Sequence, residues 1–174
     1  MKVVKFWVFL AATVLSLATL AGCAGGATQS GTIIGSTVIN APVEKISNFM
    51  CNMSDAEMKE VFTGVKELTN KQGKPCTIGY SWDQTQCVAG ICKTVNAVWA
   101  VIIPYQLYQL KYSGEVNGTT SYLFSPEGKG TKLTVILEMS GKLPANVSYD
   151  MVKSEFQKGC DEDLARIKAK VEKM

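Results

Sequence analysis

The sequence predicts an α+β fold: an antiparallel sheet, two short helices after its first strand, and a long C-terminal helix covering one face. Three observations carry this. Over much of residues 76–142 apolar side chains recur at a period of two, as in strands with one buried and one solvated face. Residues 42–68 and residues 148–173 instead place them three and four apart, the stripe of an amphipathic helix. Gly, Pro, Asn and Ser gather between the alternating runs, where tight turns need them.

The elements follow in order. Residues 32–40 of "GTIIGSTVINAPVEKISNFM" are rich in β-branched types and read as a strand. Pro42 suits a helix start, and Val43, Ile46, Phe49 and Met50 share the helical face that follows. Ser54 and Glu57 have the spacing of a capping box. It opens a second helix on which Met58, Val61, Phe62, Val65 and Leu68 recur, ended by Gly73 and Pro75 in "NKQGKP". In the next alternating runs Val95, Ala97, Trp99, Val101 and Ile103 share one face, as do Tyr108, Leu110 and Tyr112. Asn117–Gly118 predicts a hairpin turn, because both residues tolerate positive φ, and "SPEGKG" predicts another. Leu133, Val135, Leu137 and Met139 then line one face of the last strand. The terminal helix carries Val152, Phe156, Cys160, Leu164, Ile167, Val171 and Met174 on one stripe, with Lys, Glu and Asp filling most other positions.

Charge and composition exclude several functions. The net charge of the 174 residues is +3, and two of the positive side chains are Lys2 and Lys5 at the N-terminus. Arg166 is the only arginine. No basic patch of the kind that binds nucleic acid remains. Histidine is absent, which removes the commonest proton carrier at neutral pH. Glu115, Glu127 and Glu138 fall near predicted turns or on the polar strand face, so no catalytic residue is assigned and no cofactor is expected. "CVAGIC" lacks a second cysteine pair and a histidine to complete a metal site.

The N-terminus suggests export. Lys2 and Lys5 precede a run without charge from Phe6 to Gly22, the pattern of a secretory signal peptide. "LAGC" at residues 20–23 resembles the bacterial lipobox (aliphatic, small, small, Cys). That resemblance implies a signal peptide over residues 1–22, a lipidated Cys23, and "AGGATQSG" as a tether within residues 23–31. It further implies an exported protein anchored by lipid to the cell envelope. In a cell with two membranes, Ala24 after the cysteine resembles lipoproteins of the outer membrane facing the periplasm. Two or three acyl chains hold a protein where one does not. In an oxidising compartment pairing is the default for the other five cysteines. Cys87 and Cys92 are close enough to staple a turn, and Cys51, Cys76 and Cys160 leave one thiol over with the pairing open.

Three stretches carry a second resemblance. "STVINAPVEKISNFM" (residues 36–50), "SPEGKGTKLTVILEMSG" (residues 125–141) and the terminal helix are similar to the opening strand, late hairpin and gripping helix of the START-like, or SRPBCC, helix-grip superfamily. That superfamily includes polyketide cyclases and lipid-transfer domains. The resemblance covers residues 32–174. It implies a sheet wrapped around the terminal helix with an apolar cavity between them, a natural site for a hydrophobic small molecule or lipid. Trp99, Tyr108, Tyr112, Leu133, Val135, Leu137 and Phe156 are the candidate wall. Two other readings stay open: a structural or interaction lipoprotein in which these residues pack as a closed core, and a cyclase-like enzyme. No protein partner is identified.

Overall fold

The computed structural model describes residues 28–88, 90–143 and 147–174. The signal segment 1–22 and Cys23 lie outside the described residues. The elements run β1 (Thr28–Ile39), α1 (Val43–Asn52), α2 (Asp55–Val61), β2 (Val65–Gln72), β3 (Ser81–Val88), β4 (Ile91–Ile103), β5 (Leu107–Gly114), β6 (Val116–Glu127), β7 (Gly130–Lys142) and α3 (Tyr149–Lys173). The seven strands form one antiparallel sheet in the order β1-β7-β6-β5-β4-β3-β2. This is the expected α+β helix-grip architecture: one sheet, two short helices after its first strand, and α3 packed across it.

Local sequence explains most elements. Pro42 stands at the N-cap of α1, which buries Ile46, Phe49 and Met50 as its periodicity predicts. Ser54 caps α2 with its side chain on the Glu57 N–H at 3.3 Å, while the Glu57 carboxylate accepts the Ser54 N–H at 2.8 Å. Both halves of the capping box are made. The β6–β7 hairpin turns through Gly128 and Lys129, with Gly128 at φ +58°. Any other residue would be strained there. Cys87 pairs with Cys92 across the β3–β4 hairpin, and Cys51 with Cys76. Cys160 remains a free thiol.

Four expectations are corrected. The second helix stops at Val61, and residues 65–72 form strand β2 instead of its last turns. Phe62 is extended at φ −94° and ψ 106°, and the Thr63 N–H donates to the Asp163 carboxylate instead of continuing the helix. Two register shifts in β2 hide its period-two pattern. The turn predicted at Asn117–Gly118 is instead inside β6, and the reversal occurs at Gly114–Glu115. Gly118 serves close packing: a Cβ there would collide with the Glu138 backbone. A bulge after Trp99 changes the inward face of β4, so Ile102 packs on the core while Ile103 is exposed. Finally, β1 starts at Thr28, so residues 28–31 of the expected tether are paired with β7. Ladder hydrogen bonds there outweigh the loop-like composition of "TQSG".

The sheet has two edges, and β1 is one of them. Side chains of α3 cover its open backbone groups. The Gln157 amide donates to the Ile34 carbonyl, Lys168 to the Val38 carbonyl, and Glu172 accepts the Asn40 N–H. An edge closed this way offers little to another strand. Gly35 allows the approach, since a Cβ would lie 2.8 Å from the Cys160 Sγ and 2.9 Å from a Leu164 methyl.

Candidate functional site

Inward-facing side chains alternate along most of the strands, interrupted in β2 and at the β4 bulge. At the end under α1, Tyr80, Trp82, Trp99, Tyr108 and Phe124 form a chain of neighbouring rings with centroids 5.3–6.3 Å apart. Most meet at tilted or edge-on angles, the favoured geometry for aromatic pairs. The Tyr108 hydroxyl bonds Ser47 of α1, and Leu133, Ile167 and Val171 close this core.

Toward the other end, under residues 149–164 of α3, the inward positions hold Gln86, Tyr112, Thr120, Tyr122, Val135 and Leu137, with Gly31 on β1. These residues leave a cavity of about 350 Å³ between sheet and helix. Its volume is at the low end of small-molecule sites, about 300–1,000 Å³. Val152, Phe156 and Leu164 of α3 form the opposite wall, and Phe62, Thr63 and Gly64 the end near β2. Exposed Lys142, Lys153 and Lys158 also line it, so this side is the mouth. The Cys87–Cys92 bridge stands on the cavity's border, with Cys87, Val88 and Ile91 lining it.

The seven expected wall residues divide. Tyr112, Val135, Leu137 and Phe156 do line the cavity. Trp99, Tyr108 and Leu133 belong to the packed core beyond it, and Leu133 is fully buried. The rings pack their end of the sheet, and the cavity opens beyond it, where Tyr112, Tyr122 and Phe156 stand beside the smaller Thr120, Val135 and Leu137. Met174, expected on the apolar stripe of α3, is exposed past the last turn.

Polar groups inside the cavity escaped the sequence reading. Gln84 is buried, accepts the Trp82 indole N–H at 3.0 Å and donates to Gln86. The Thr120 hydroxyl donates to the Tyr112 hydroxyl at 3.2 Å. Asp163 enters from α3 with its side chain 22 % exposed. Its Oδ1 accepts the Thr63 N–H at 2.8 Å and the Thr63 hydroxyl at 2.7 Å, with Arg166 at 3.4 Å. Burial raises the Asp163 pKa above the ordinary 3.8, opposed by those Thr63 bonds and by Arg166. Burial pushes the Tyr122 hydroxyl well above its ordinary range, with Tyr112, Asp163 and Cys160 adding to the effect. It also raises the Cys160 thiol to about 11, which keeps it protonated and unreactive at neutral pH. One signal for Asp163 was readable: it lies three residues after Cys160 and four before Ile167, a carboxylate bordering an apolar stripe.

Among the described residues no cluster of three His, Cys, Asp or Glu could hold a metal ion. No described helix is long and apolar enough to cross a membrane.

No family model matches the chain, and no curated protein matches it. Solved structures do share its fold. Ara h 8.0201 superposes with a TM-score of 0.62 at 12 % identity, covering 84 % of this chain and 100 % of its own. Major latex-like protein 151 of Panax ginseng gives 0.61 at 12 % identity, with 81 % and 97 % covered. The KanY protein gives 0.64 at 11 %, with 83 % and 99 % covered. At such identities the likeness is one of fold, and function has to be argued from the cavity itself.

Proposed function

We propose that this chain is a bacterial lipoprotein, anchored through Cys23, that holds an apolar small molecule or a single lipid chain between its sheet and terminal helix. The cavity of about 350 Å³ is the observation that carries this reading. A closed structural core would have filled it, as the aromatic chain fills the other end. Burying a ligand's apolar surface there is favourable by roughly 25 cal/mol per Å². The mouth beside Lys142, Lys153 and Lys158 provides access, and the lipobox resemblance of "LAGC" supports the membrane anchor.

Two experiments test the two halves. Native mass spectrometry of the protein purified from its own envelope should show an adduct of one apolar molecule. Protein that is uniformly unliganded and also fails to bind N-phenylnaphthylamine overturns the binding role. For the anchor, Cys23→Ser should abolish fatty-acid labelling and release the protein from the membrane fraction. Unchanged labelling and fractionation would refute lipidation at Cys23.

A further inference from the structure

Resting on that ligand-holding role, we infer that the cavity contains a polar anchoring point, formed by Tyr122 and Asp163, that favours apolar ligands bearing a hydroxyl group. Tyr122 lines the cavity, is only 6 % exposed, and its hydroxyl has no hydrogen-bond partner among the described residues. The hydroxyl is not sealed off, since no fully buried side-chain N or O among the described residues lacks a partner; it stays open to the cavity that Tyr122 lines, where a ligand atom can accept its proton. Asp163 is half engaged. All three of its donors converge on Oδ1, and Oδ2 has no partner among the described residues. Both side chains line the same cavity, and the Asp163 charge adds to the upward shift of the Tyr122 hydroxyl.

The chemistry of these two groups is complementary. The phenol offers a proton, and the free carboxylate oxygen accepts one. A hydroxyl group satisfies both at once, because it accepts from Tyr122 and donates to Asp163. An ether oxygen satisfies only the phenol. Tyr112 adds a second phenolic proton, since its oxygen already accepts from Thr120. The remaining wall, including Ile33, Val135, Leu137 and Phe156, contacts the hydrocarbon body without regard to its end group.

The test uses 1-decanol and its methyl ether, titrated by displacement of N-phenylnaphthylamine from the wild type, Asp163→Asn and Tyr122→Phe. In the wild type the alcohol should bind roughly tenfold more tightly than the ether, the yield of one added hydrogen bond to a charged group. Asn at 163 keeps an oxygen for Thr63 and presents an amide donor in place of Oδ2. The alcohol-to-ether ratio should therefore fall to near one. Tyr122→Phe, which keeps the ring and the packing, should weaken both ligands and leave a preference for the alcohol. Equal binding of the two ligands by the wild type, or an unchanged ratio in Asp163→Asn, overturns the anchoring point and leaves the cavity's binding role intact. Unweakened binding of both ligands to Tyr122→Phe removes Tyr122 from it. Failure of both ligands to bind the wild type overturns this inference and the binding role together. If Asp163→Asn does not fold, Tyr122→Phe decides the matter alone.

Discussion

The two ends of the sheet have the same alternation of inward and outward residues and opposite interiors. Under α1 the inward positions carry Trp82, Trp99, Tyr108, Phe124 and Leu133, all buried in one core cluster. Under the first half of α3 they carry Gln86, Tyr112, Thr120, Tyr122, Val135 and Leu137, and a cavity of about 350 Å³ opens. Periodicity therefore tells which face is inward, while the helices laid over each end decide whether that face is filled. The two ends also differ in cover. Ile46 and Phe49 of α1 and Ile167 and Val171 of α3 close the filled end, whereas α3 and residues 62–64 border the open end, which meets solvent at a mouth with lysines. Packing close to crystal density makes the first end stiff. The second has spare volume that a ligand can occupy.

The comparison is broken most directly by truncating each end in turn. Leu133→Ala at the filled end should cost about 2–5 kcal/mol, because the surrounding rings cannot collapse into the hole. Phe156→Ala at the open end should cost less than about 2 kcal/mol, since Phe156 already borders open space and forfeits fewer contacts than a packed Phe. Urea unfolding of both variants measures this, and equal costs would contradict the division. Between the two lies Gly35, where β1 meets α3. Gly35→Ala should destabilise by about 1–3 kcal/mol through overpacking against Cys160 and Leu164. Displacing α3 should also weaken apolar-probe binding, so a neutral Gly35→Ala would mean the helix can shift freely.

The smallest effect concerns Asp163. Its pKa is raised by burial, so the folded state favours the protonated acid relative to the unfolded chain. Its stabilising contribution is thus fully present below the ordinary 3.8 and is lost as pH rises through the raised value. Asp163→Asn does not titrate. Its stability relative to the wild type should therefore increase with pH across that window and level off above it. Unfolding curves at pH 3.5 and pH 6.5 suffice, and a difference of opposite sign would show that the Thr63 bonds outweigh burial.

Much of this was legible from residues. The stripes of α1 and α3, the capping box at Ser54 and Glu57, the turn at Gly128 and the Cys87–Cys92 bridge all rest on local chemistry, and the structure shows each. What was not legible depends on distant partners. Residues 65–72 carry apolar residues at helical spacing, but pairing with β3 and the Thr63–Asp163 bonds claim the chain first. Asn117–Gly118 has turn chemistry, yet Gly118 is required where the Glu138 backbone approaches. The division of the candidate wall into packed Trp99, Tyr108 and Leu133 and cavity-lining Tyr112, Val135, Leu137 and Phe156 depends on where α1 sits. No spacing within the strands encodes that.

The central claim is that the open end is a ligand site. Titration of N-phenylnaphthylamine into the wild type and Leu137→Trp tests it most directly, with a thermal melt of each protein alongside. The larger indole should intrude into the cavity and obstruct a ligand there, and cavity-filling substitutions commonly add about 0.5–2 kcal/mol of stability. The account predicts saturable one-to-one binding by the wild type and loss of that binding in a Leu137→Trp protein that melts no lower. Saturable binding that persists unchanged in a well-folded Leu137→Trp, or no saturable binding by the wild type, would contradict it.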